Sequence, residues 1–189
     1  MRSLLILPLL LILTSCGIQS IPMALNETEA AWAEVQNQYK CRADLVPNLV
    51  ETVKGYAGHE KETLQAVVEA RAKATQMTVD AANLTPEKLK EFQANQSGLS
   101  QALGRLMVVA EKYPDLKAAA NFRDLQVQLE GTENRITTAR RRYIETVKEF
   151  NNLVTVFPTS LTNSLMFKHD KKPQFEATEA EQAAPAVKF

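Results

Sequence analysis

FRDLQVQLEGTENRITTARRRYIETVKEFNNLVTVF, residues Phe122 to Phe157, places Phe122, Leu129, Ile136, Tyr143, Phe150 and Phe157 at every seventh position. The three-residue steps between them supply Leu125, Thr132, Ala139, Thr146 and Leu153. Residues three and four apart share a helix face, so the spacing predicts one helix of about 54 Å with a seam sustained for about five heptads. Pro158 ends it, because proline has no backbone donor to continue the ladder. A seam this long and narrow needs partner helices to cover it.

The preceding chain supplies them. Trp32, Val35, Tyr39, Arg42, Val46, Leu49, Val53 and Tyr56 repeat at three and four residues, behind Asn26 as a predicted N-cap and Glu27 and Glu29 in the first turn. Pro47 crowds the carbonyl of Ala43 and predicts a kink, and Gly55 and Gly58 predict a turn. Leu64, Val67, Ala70, Ala74 and Met77 make a second stripe. Leu89, Phe92, Leu99, Leu103, Leu106, Ala110 and Tyr113 make a third, opened by Thr85 as cap and Pro86 in the first turn. Four stripes with short connections predict an all-α fold, an antiparallel four-helix bundle with long, kinked helices.

The chain has 189 residues, enough for one domain with a real core. Lys plus Arg and Asp plus Glu number 22 each, so no net field draws it to nucleic acid, which argues against such a partner. Six glycines and few β-branched runs favour helix over sheet. With only two cysteines there is no disulfide framework, and a solitary Cys41 reads as an inert packing residue.

At the N-terminus, Arg2 precedes the apolar run Leu4 to Leu13, about 15 Å as a helix and half of a bilayer core. That is the length of a signal-peptide core. Leu13-Thr14-Ser15-Cys16 resembles the lipobox of bacterial lipoproteins, in which the cysteine thiol receives a diacylglycerol and the chain is cut just before it. The resemblance implies a lipidated Cys16 and a membrane anchor, while an ordinary cleaved signal or an uncleaved anchor stays open. Gly17 rather than Asp after the cysteine implies the outer membrane in a two-membrane host. The resulting organisation is a signal peptide over 1–15, a tether over 16–25, the bundle over 26–157, a C-terminal strap over 158–177 and a flexible tail over 178–189. In the strap, Leu161, Leu165, Met166, Phe167 and Phe175 are expected to dock, around the basic run Lys168, Lys171 and Lys172.

Two stretches resemble the LemA family of bacterial envelope proteins. One is Arg42-Ala43-Asp44-Leu45-Val46-Pro47-Asn48-Leu49-Val50-Glu51-Thr52-Val53-Lys54-Gly55-Tyr56 with His59-Glu60. The other runs from Ala120-Asn121-Phe122 through Leu125-Gln126, Leu129, Thr132-Glu133-Asn134, Ala139-Arg140, Tyr143 and Asn151 to Phe157-Pro158, with Phe175-Glu176-Ala177 beyond. The resemblance implies a helical bundle held at a membrane by its N-terminus, with its body outside the cytoplasm. It also associates some relatives with membrane peptidases as partners. The chain departs from the pattern in its short lipobox-like leader, in Cys41 where arginine is favoured, and in Ile144 where asparagine is common.

Sites with complete chemistry are hard to assemble. His59-Glu60 would begin a zinc-protease motif, but Thr63 occupies the place of the second histidine, so no metal is expected. No phosphate-binding glycine loop or nucleophile elbow occurs, and neither a cofactor nor an enzymatic activity is expected. The polar residues beside the seams, Arg42, Asp44, Gln126, Glu133 and Arg140, form the candidate cluster. It reads either as a register-setting network between helices or as a site for a small ligand or lipid. The first reading makes the protein an interaction or scaffold bundle at the envelope, the second a ligand-binding one.

Overall fold

The computed structural model describes the backbone of residues 6–176 and the side chains of residues 18–176. Its elements are α1 (Ile6–Ala57), α2 (Lys61–Gln76), a 3-10 turn at Ala81–Asn83, α3 (Pro86–Ala110), α4 (Pro114–Ala118), α5 (Ala120–Thr155), α6 (Thr159–Thr162) and a π turn at Asn163–Phe167. Among the described residues there is no strand, and no helix is long and apolar enough to cross a membrane. The long helices run up, down, up, down: α1 pairs with α5 along its length, and α2 with α3 as a shorter hairpin. This is the antiparallel four-helix bundle that the four stripes predict.

The core has three tiers along the α1–α5 axis. At the far end Val46, Leu49 and Val53 of α1 meet Leu64 and Val67 of α2, Leu99 and Leu106 of α3, and Phe122 and Leu129 of α5. In the middle Trp32 and Tyr39 meet Phe92, Ile136, Tyr143 and Phe175. At the near end Ile21 and Ala24 meet Phe150 and Val154, with Phe167 packed against them. The hairpin of α2 and α3 does not reach this last tier, and the C-terminal segment covers it instead.

Several expectations change here. The seam of α5 follows the heptad only to Tyr143; after it two four-residue steps bury Val147 in place of Thr146 and Val154 in place of Leu153, and leave Phe157 exposed. A straight helix drifts by about 20° per heptad, and one four-residue step restores the buried face. In α1, Ala57 is buried and Tyr56 is exposed for the same reason. Asn26 is not a cap, since α1 passes through it, and the expected tether at 16–25 is helical. Ile21 and Ala24 carry the apolar stripe past the capping signal, and their burial against Phe150 and Val154 outweighs a cap at Asn26. Of the five apolar strap residues expected to dock, Phe175 is buried and Phe167 partly so, whereas Leu161, Leu165 and Met166 are exposed.

Pro47 lies within α1, which continues through it. Its missing donor leaves the carbonyl of Ala43 without an intrahelical bond, and Arg71 Nε of α2 donates to that oxygen at 2.8 Å. Thr85 does cap α3, its Oγ1 accepting from the backbone N–H of Lys88. Glu87 in that first turn is held below the usual carboxylate range by backbone and Thr85 hydrogen bonds. His59 lies in the turn between α1 and α2.

Candidate functional site

Arg42 is the polar centre of the bundle. It sits on the buried stripe of α1 between Tyr39 and Val46, and only 1% of its surface is exposed. Its Nη1 donates to Glu133 Oε1 of α5 and to Ser100 Oγ of α3, each at 2.7 Å. Its Nη2 donates to the backbone oxygen and to Oε1 of Gln96 on α3, at 3.1 and 2.8 Å. Gln96 Nε2 in turn donates to the Ala74 carbonyl of α2 at 3.0 Å, so one guanidinium ties four helices. The guanidinium also lies over the Tyr39 ring, 5.0 Å from its centre. Four of its five N–H groups are engaged, and Nε is buried with no hydrogen-bond partner among the described residues.

A second polar group lies one tier nearer the N-terminus. Arg140 stacks over Phe175 at 4.7 Å and faces the Tyr39 hydroxyl. Burial pushes the Tyr39 phenol above its ordinary value, opposed by the charges of Arg140 and Arg42. Trp32 is ringed by Phe92, Tyr143 and Phe175, with centroids 5.2 to 6.0 Å away. Its indole N–H donates at 2.8 Å to the carbonyl of Val79, in the link between α2 and α3, and Gln36 Nε2 donates to the same oxygen. Burial raises the Tyr143 phenol as well, and its hydroxyl donates to the Pro173 carbonyl at 3.0 Å.

The C-terminal segment is held by its backbone. Asn151 takes Lys172 in both directions, Nδ2 donating to the carbonyl at 3.0 Å and Oδ1 accepting from the N–H at 2.8 Å. Asn163 does the same for His169, at 2.9 Å each way, and reaches the Val154 carbonyl. Tyr143, Asn151 and Phe175 thus fasten the segment that covers the near end of the α1–α5 pair.

Of the five clustered residues expected from the sequence, the structure brings Arg42 and Glu133 into contact and sets Arg140 near them through Tyr39. Asp44 is not part of the group: it is exposed and pairs with Lys40 one turn away on its own helix. Gln126 is exposed and bonds Glu130. Both positions fall just outside the width of the buried stripe. Gln96 and Ser100 are additions, and the signal for Gln96 was available: it fills the gap in the α3 stripe between Phe92 and Leu99. Cys16, the expected lipid site, has its side chain outside the described residues, as does the tail at 178–189. Cys41 is exposed rather than packed.

A cavity of about 460 Å³ opens beside this network, lined by Gln36, Tyr39, Met77, Phe92 and Gln96 among others. Among the described residues no group of His, Cys, Asp and Glu is placed to hold a metal ion. Chemically, a fixed guanidinium whose terminal donors are all engaged braces helices; it has little left to offer a substrate.

Fold and site together define an up-and-down helical bundle whose polar centre bonds its helices to one another. The chain belongs to the LemA family, whose match spans residues 31–189. It is similar to Protein LemA of Metamycoplasma hominis, 28% identical over 71% of this chain and 58% of that protein. A shorter likeness, 34% identical over 32% of this chain, is to Magnetosome protein MamQ 2 of Paramagnetospirillum magneticum, of which it covers 22%. Magnetosome protein MamQ of Magnetospirillum gryphiswaldense matches over the same share at 31% identity. The chain therefore spans less than two thirds of the length of these relatives.

Proposed function

We propose that this chain is a non-catalytic, membrane-anchored bundle acting as an interaction or scaffold protein at the bacterial cell envelope, outside the cytoplasm. The observation that carries the non-catalytic part is the fate of the family-like polar residues. Arg42, Glu133, Tyr143 and Asn151 all bond to other parts of the same chain. The anchor rests on the apolar run Leu4 to Leu13 followed by Leu13-Thr14-Ser15-Cys16, with Cys16 as the lipidated residue. Gly17 behind it favours the outer membrane where the host has two. The partner is an envelope protein, with a membrane peptidase the first to examine on the family resemblance.

The test is a quantitative pull-down from detergent-solubilised membranes with wild type and Cys16→Ala. A partner recovered in stoichiometric amount with wild type and depleted several-fold with Cys16→Ala is expected. Equal recovery with both forms would refute an interaction that depends on anchoring.

The cavity beside Tyr39 and Gln96 favours a second reading, a bundle that binds a small ligand or lipid between its helices. Native mass spectrometry decides it: a co-purified ligand lost in Glu133→Leu supports this reading, and an unliganded mass counts against it.

A further inference from the structure

We propose that the C-terminal elbow, residues Val156 to Lys168, is a second membrane contact that rests its apolar side chains in the bilayer carrying the N-terminal anchor. The inference builds on the anchoring reading above and adds a surface to it.

Place comes first. The end of α5 and the π turn pack on the N-terminal part of α1, Phe150, Val154 and Phe167 against Ile21 and Ala24. The elbow therefore occupies the pole of the bundle from which α1 leads back towards the apolar run Leu4 to Leu13. Because 16–25 is helical, its ten residues span about 15 Å rather than the roughly 30 Å of an extended tether, so the pole cannot stand far from the anchoring surface.

Composition follows. Of eleven exposed large hydrophobic residues among the described ones, seven lie at this pole: Ile18 and Met23 on α1, and Val156, Phe157, Leu161, Leu165 and Met166 in the elbow. The other four, Tyr56, Val68, Val108 and Val127, are dispersed over α1, α2, α3 and α5. Phe157 is 75% and Leu165 72% exposed, and Val156 and Phe157 also line a groove of about 480 Å³ with Leu153, Lys148, Glu145 and Glu149 of α5. The apolar side chains of the elbow are held outward: Thr162 and Asn163 are buried on the inner side, and Asn163 clamps His169 through both its amide atoms.

Position decides the occupant. The exposed Lys168 and Lys171 follow the apolar residues at once, with Asp170 between them, and Glu145, Lys148 and Glu149 border Phe157, so the rim carries both signs and gives no electrostatic preference. Exposed apolar side chains gathered at the pole that carries the proposed anchor match the bilayer into which that anchor inserts, a surface that is present wherever the anchor is.

The experiment places the photoreactive residue p-benzoylphenylalanine at Phe157 or Leu165 of the full-length chain in cells, with Val108 and Val127 as controls on the remote exposed surface. After illumination and purification, lipid adducts are read by intact mass. Lipid adducts at 157 and 165 at least fivefold above those at 108 and 127 are expected. A membrane-bound chain whose elbow probes label a protein, a second copy, or nothing overturns the elbow contact alone. A chain found wholly in the soluble fraction overturns the anchoring reading and this inference with it.

Discussion

Replacing Glu133 by Gln keeps the shape of the side chain and its hydrogen-bond acceptor but removes its charge. Arg42 is then a cation at 1% exposure facing only neutral acceptors, Ser100, Gln96 and the Tyr39 ring. Two unit charges about 4 Å apart attract by about 4 kcal/mol at an effective dielectric of 20. The Glu133 side chain is 49% exposed, so solvent screens the pair, and about half of that figure, roughly 2 kcal/mol, is the expected cost. Arg42→Met preserves the stem volume but strips donors from Gln96 Oε1 and Ser100 Oγ, at roughly 2 to 3 kcal/mol. In the double variant the carboxamide at 133 faces no buried cation, so most of the first loss disappears. Urea unfolding followed by circular dichroism, run on wild type, both single variants and the double, should return a coupling near 2 kcal/mol, and each single variant should melt several degrees lower. A coupling below about 0.5 kcal/mol would refute the idea that this pair braces α1 against α5.

Arg71→Met should destabilise by roughly 1 to 2 kcal/mol by stranding the Ala43 carbonyl, and adding Pro47→Ala should recover most of it, because the new backbone N–H bonds the same oxygen; equal effects of Pro47→Ala in both backgrounds would contradict this. Asn151→Ala should loosen the C-terminal segment, raising amide exchange over residues 168–176 at least tenfold while the far tier around Leu49 stays protected. Tyr39 and Tyr143 have raised pKa values in the fold, so the folded chain binds more protons than the unfolded one above pH 10. Their contribution is complete below that pH and declines as pH rises further, by up to about 1.4 kcal/mol per pH unit for each tyrosine. Urea midpoints at pH 9 and 11 should show a smaller drop in Tyr143→Phe than in wild type.

The long seam of α5 and the stripes of α1, α2 and α3 were legible because three-and-four spacing is a local property of the chain. The exit of Phe157 from the core was not, since it depends on drift accumulated over the whole length of α5. Asn26 shows the converse: a capping signal acts only where something stops the helix, and Ile21 packing on Phe150 keeps it going. A polar network between facing helices was anticipated around Arg42, Asp44, Gln126, Glu133 and Arg140, but not that Arg42 itself would pair with Glu133. Asp44 and Gln126 were grouped with them because sequence proximity to a seam does not give angular position finely enough. Pro47 announces an unsatisfied carbonyl at Ala43, but nothing local reveals that Arg71, on the next helix, will answer it. Cys16, the residue proposed to carry the anchor, stands outside the described side chains, and its role is a matter of chemistry in the cell.

That chemistry gives the most direct test of the claim that a lipid holds this bundle at a membrane. Cells expressing the full-length chain are fed an azido fatty acid, and the protein is purified and reacted with an alkyne fluorophore. The account predicts a labelled wild-type band, recovered with membranes, and no label on Cys16→Ala. Equal labelling of the two, or a wild-type chain recovered unacylated, would contradict it.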